Sequence, residues 1–89
     1  MQKVLTFTQD KKKYVSKPFD FETVRLINEN HMDENKKGVL TCTVDGVYHM
    51  FEGTEATNDI LEQIDPVDMI KMCNQAWTWY VEVITAKND

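Results

Sequence analysis

The chain has 89 residues, 42% hydrophobic and 28% charged, with two tryptophans, three tyrosines and four phenylalanines. That composition excludes intrinsic disorder and leaves room for one domain, 1–89, with one core. The net charge is −5, carried as +2 over residues 1–37 and −7 over residues 38–89, with no lysine or arginine between Lys37 and Lys71. Such a surface repels phosphate backbones and argues against a nucleic-acid partner.

Val4-Leu5-Thr6-Phe7-Thr8 alternates, with Leu5 and Phe7 on one face, and reads as a strand. Gln9 to Lys12 is a polar turn, and Lys13 to Lys17 a second strand. The pair forms a β-hairpin over residues 1–17 that must lie on helices to be stable. The lysine run at 11–13 is a charged loop tip that discourages edge pairing. Residues 20–86 read as helical. Asp20 is an N-cap for a helix from Phe21 to about Asn30, with Phe21, Val24, Ile27 and Leu26 as its apolar positions.

Val39 to Phe51 carries two signals. Its Val, Thr and Cys content and Asp45-Gly46 fit a hairpin, whereas Leu40, Val44, Val47, Tyr48 and Phe51 fall on one helical stripe. The spacing favours a helix stopped by Gly53. Thr57 or Asn58 caps a short helix bearing Ile60, Leu61 and Ile64. Asp65-Pro66-Val67-Asp68 then starts a long helix running to about Ala86, with Ile70, Cys73, Trp77, Tyr80, Val81 and Ile84 as its stripe, widened by Met69 and Ala76. The expected fold class is α+β: an N-terminal β-hairpin followed by about four α-helices, the last one long.

No segment approaches the roughly 20 apolar residues that cross a bilayer, and Met1 to Thr6 lacks a signal peptide's apolar stretch. The expectation is a cytoplasmic protein without membrane contact. Cys42 and Cys73 form no CxxC and read as reduced core residues. Ser16 is the single serine and has no histidine pattern near it. His31 and His49 lack partners at zinc spacing. Asp33, Asn35 and Gly38 imitate a calcium loop, but Lys37 and Val44 stand where acidic ligands belong. Neither catalytic residues nor a metal or cofactor is expected. Glu52, Glu55, Asp59, Glu62, Asp65 and Asp68 serve solubility and helix starts. A helix sets Trp79 about 200° from Trp77, so one of the two faces solvent, a second subunit or the hairpin.

The layout resembles the tail assembly chaperones of long-tailed phages and prophages. The resemblance rests on a hairpin ending in Lys17-Pro18-Phe19-Asp20-Phe21, on the first helix continuing through Glu22-Thr23-Val24-Arg25-Leu26-Ile27-Asn28-Glu29, on Tyr48-His49-Met50-Phe51-Glu52-Gly53-Thr54 closing a middle helix, and on the Asp65-Pro66 start of the final one. It implies a protein that binds the tape measure protein, shields its hydrophobic helices, recruits tail-tube subunits, assembles into homo-oligomers and is absent from the mature virion. Phe51, Glu55, Trp79 and Tyr80 are the candidate partner-binding residues. Two other readings stay open: a small acidic regulatory or inhibitor protein binding a basic partner, and a structural tail component.

Overall fold

The chain first reverses at Asp10 and Lys11, whose φ angles of 52° and 66° are both left-handed. Two consecutive positive φ values define the tight hairpin turn whose twist matches that of the strands it joins. This computed structural model describes residues 3–86. Strand β1 (Thr6–Gln9) pairs antiparallel with β2 (Lys12–Val15), in the register Thr6 to Val15 and Gln9 to Lys12. Because the turn holds only two residues, pairing starts at Gln9 and Lys12, one residue nearer the tip on each side than the alternation predicts. Past β2, the Ser16 N–H donates to the Leu5 carbonyl at 2.9 Å, and the Leu5 N–H donates to the Ser16 hydroxyl at 2.8 Å. A side chain thus replaces the backbone acceptor where the hairpin opens out.

Four helices follow: α1 (Phe21–Met32), α2 (Val39–Phe51), α3 (Asn58–Glu62) and α4 (Pro66–Ala86). The class is α+β, with the long helix last. Asp20 caps α1. Its Oδ1 accepts from the Thr23 N–H at 2.9 Å and from the Thr23 hydroxyl at 2.7 Å. At α4, Asp65 Oδ1 accepts from the Val67 N–H at 2.8 Å, and Pro66 occupies the first helical position, where no N–H is needed. The 21 residues of α4 give it a length of about 30 Å.

Residues 39–51 are helix throughout. Gly46 is not a turn residue but the contact point of two helices. A Cβ there would lie 3.1 Å from Thr23 Cγ2 and 3.2 Å from Ile27 Cγ1. The lack of a side chain lets α1 come in close. Around this contact, Ile27, Val47 and Phe51 lie inward as the apolar spacing predicts, whereas Phe21 and Leu40 do not. On α1 the buried residues are Thr23 and Ile27, and Phe21 is 78% exposed. On α2 the buried face is Cys42, Thr43, Gly46, Val47, Met50 and Phe51. Leu40 is exposed, and Val44 and Tyr48 are half-buried. Thr43 is tolerated in the core because its hydroxyl donates to the Val39 carbonyl at 2.6 Å, one turn back. On α4, Met72, Cys73, Ala76 and Tyr80 are buried, while Ile70 is exposed.

Helix α2 is therefore central, packed between α1 and α4. The hairpin adds Leu5 and Phe7 to the same core. Phe7 stacks on Tyr14 with ring centroids 5.1 Å apart and meets Phe51 edge-on at 5.4 Å.

Candidate interaction surface

The four residues singled out from the sequence do not form one surface. Phe51 is 1% exposed and fills the space between Phe7 and the helices, so it presents nothing to a partner. Tyr80 is 2% exposed, and its hydroxyl donates to Asn28 Oδ1 at 2.8 Å. Burial pushes its phenol up from the ordinary tyrosine value. Both are core residues because they stand on the inner faces of α2 and α4. Glu55 does reach solvent. It pairs with Lys12 at 2.7 Å, and Lys12 also lies over the Tyr14 ring, 5.3 Å from its centroid. The hydrogen bond from Lys12 holds the Glu55 carboxyl below the usual glutamate range. This contact ties the hairpin tip to the loop before α3.

Trp79 is half-buried and meets Phe19 edge-on at 5.5 Å. Its remaining surface walls a cleft of about 240 Å³ between the start of β1 and α4, lined also by Val4, Thr6, Asp68, Lys71 and Met72. Trp79 is thus the tryptophan that faces the hairpin, while Trp77 packs beside Tyr80 and His31.

A second concavity, about 300 Å³, lies between α1 and α4. Phe21, Val24, Arg25, Asn28, Val83 and Ile84 line it. Its wall is mostly apolar, and Arg25 on its rim is held by Glu22 and Glu29. Glu82 and Asp20 stand nearby in the chain and are exposed. Phe21 and Val83 were not among the sequence candidates. An apolar residue at the first position of an amphipathic helix is normally assigned to the core. Phe21 escapes it because Thr23 takes the core position, and two residues are about 200° of helix rotation.

Reactive groups are muted. Cys42 and Cys73 are free and buried, and burial raises both thiols, which disfavours thiolate. His49 sits between Asp20 at 3.4 Å and Glu52 at 3.5 Å. Partial burial opposes the charge on Asp20, but the Thr23 hydrogen bonds and His49 outweigh it, so its carboxyl lies below the usual aspartate range. Asp33 accepts from the Asn35 N–H at 2.9 Å, an ordinary capped loop. Among the described residues there is no group of three or more His, Cys, Asp or Glu side chains placed to hold a metal ion. Nor is any helix of these residues long and apolar enough to cross a membrane.

No family model, no curated protein and no solved structure matches the chain.

Proposed function

We propose that the protein is a tail assembly chaperone of a long-tailed phage or prophage. In this reading it acts in the host cytoplasm, binds the tape measure protein and brings tail-tube subunits to it. Support comes from the element order on which the resemblance rests: a hairpin, an aromatic-Asp-aromatic entry to α1, and an Asp-Pro start to a long last helix. The observation that carries the reading is the open apolar groove between α1 and α4, with Phe21 78% exposed at its mouth. An exposed aromatic continuous with an apolar groove, here Phe21 beside Val24, Val83 and Ile84, fits a surface that is covered in use. Arg25 on the rim is paired with both Glu22 and Glu29, a cluster with one net negative charge that suits apolar helices flanked by basic residues, and the net charge of −5 limits self-aggregation while the groove is empty.

A tagged pull-down from cells producing phage tails, followed by mass spectrometry, tests it. Recovery of a very long helical protein together with a tail-tube protein is the expected result. Recovery of a host regulator or toxin alone, with tail proteins expressed, overturns it in favour of an acidic inhibitor. Finding the chain in purified virions overturns it in favour of a structural tail component.

A further inference from the structure

The two edges of the hairpin are unlike each other. In an antiparallel ladder, residues alternate between pointing both backbone groups at the partner strand and pointing both away from it. Leu5 exchanges hydrogen bonds with Ser16, and the Lys3 carbonyl accepts from Phe19 N–H at 2.8 Å, so Lys3, Leu5, Phe7 and Gln9 face inward. Val4, Thr6 and Thr8 therefore turn their N–H and C=O groups to the outer edge of β1. The outer edge of β2 is guarded by Lys12 and Lys13, and the N–H of Lys17 beyond it is taken by the Met50 carbonyl at 2.8 Å. Lysines on an edge strand block pairing with another chain. The β1 edge carries Val4, Thr6 and Thr8, with no charge and no proline.

That open edge runs beside the cleft walled by α4. Lys3 Nζ contacts Glu82 at 3.1 Å, and Gln9 Nε2 donates to the Gln63 carbonyl at 3.4 Å, so β1 and α4 run in opposite directions. Trp79, Lys71 and Asp68 all line the cleft, and this opposite run orders them along it, Trp79 toward the Val4 end and Lys71 and then Asp68 toward the Thr6 end. Among the described residues, neither Lys71 nor Asp68 forms an ion pair. A row of backbone donors and acceptors is matched by the backbone of an extended chain. The alternate side chains of such a chain, about 7 Å apart, would point at α4.

We infer that the outer edge of β1 and the Trp79, Lys71 and Asp68 flank of α4 bind an extended segment of a partner protein as a third strand. Read from the Val4 end to the Thr6 end, that segment carries an apolar residue for Trp79, then an acidic residue for Lys71 and a basic one for Asp68. This site is separate from the α1–α4 groove and does not depend on the function proposed above.

The test uses a displayed library of short linear peptides of random sequence, selected on the whole chain. Sequences with the apolar, acidic, basic order should enrich. A synthesised winner should lose at least about tenfold in affinity when alternate peptide nitrogens are methylated, since each substitution removes an edge hydrogen bond. A similar loss is expected with Thr6→Pro, whose missing N–H points away from β2. Lys71→Glu, on an exposed position, should reverse the preference for an acid at the middle site. The methylated peptide leaves the protein unaltered, so its result stands even where Thr6→Pro disturbs folding. Failure to enrich any such sequence, or equal binding of the methylated peptide, overturns the inference. So does a concentration-dependent dimer that Thr6→Pro dissolves, because the edge would then serve a second copy of this chain.

Discussion

Gly46 of α2 lies against Ile27 of α1, and a Cβ at Gly46 would come within 3.2 Å of Ile27 Cγ1. The other neighbour, Thr23 Cγ2, would be at 3.1 Å. Both neighbours are β-branched and fully buried, so neither side chain has a free rotamer to retreat into. In an open helix, Gly→Ala stabilises by about 1 kcal/mol. Here the crowding offsets that gain, because overpacking a filled core costs about 1–3 kcal/mol. Gly46→Ala should be net destabilising by about 1 kcal/mol, and Gly46→Val by more. A lowered midpoint in denaturant unfolding checks it, and a raised midpoint for Gly46→Ala shows that α1 can move away.

That contact also explains what could be read from the chain and what could not. The Asp20 and Asp65-Pro66 caps were legible because a cap is written in two or three adjacent residues. The helix over 39–51 was legible from spacing alone, against its strand-like composition. The stripe of α4 was legible too, since Cys73, Ala76 and Tyr80 are buried as its spacing predicts, but the rotations of α1 and α2 were legible only in part. They are set by close approach at Gly46 and by Thr23 and Thr43, polar residues that satisfy their hydroxyls locally and then enter the core. An apolar pattern counts such residues as outward-facing. The same error put Phe21 inside, whereas Phe51 and Tyr80, partner-binding candidates through the resemblance, stand buried on the stripes where the spacing already placed them. Of the candidate residues, Glu55 and Trp79 reach the surface, and the apolar groove was missed because it belongs to two helices far apart in sequence.

Ser16 closes the hairpin by a side-chain bond. Its hydroxyl accepts from the buried Leu5 N–H at 2.8 Å and donates to the Lys17 carbonyl at 2.7 Å. Ser16→Ala leaves the Leu5 N–H without an acceptor in a place water does not reach. The expected cost is about 1–3 kcal/mol. Hydrogen exchange at Leu5 should accelerate along with the loss of global stability, whereas a purely local effect would leave the unfolding midpoint in place.

Asp20 links stability to pH. Its carboxyl is lowered from 3.8 in the folded chain, so the folded state holds its proton less tightly than the unfolded one. The stabilisation is therefore complete above about pH 4 and is lost as pH falls through the folded value. Asp20→Ala should cost about 1 kcal/mol at neutral pH, the usual worth of an N-cap. Asp20→Asn keeps a capping oxygen but cannot titrate. Its unfolding midpoint should stay close to that of the parent at neutral pH and fall less steeply on acidification. Parallel slopes for the two chains would assign the acid sensitivity to other carboxylates.

Phe21 separates folding from binding. At 78% exposure the residue contributes little buried area. Phe21→Ser should leave stability within about 0.5 kcal/mol, as surface changes do. If the α1–α4 groove holds a partner's helices, the same change removes an aromatic anchor at its mouth, and loss of such an anchor typically weakens an interface by more than about 1 kcal/mol. The measurement is the amount of tape measure protein kept soluble on co-expression, set beside the unfolding midpoint of each chain. A lower soluble yield at an unchanged midpoint places the working surface at Phe21. An unchanged yield, with Phe21→Ser folded, removes the groove from the binding surface. A Trp79→Ser chain tested in parallel then reports whether the β1 side of α4 takes its place.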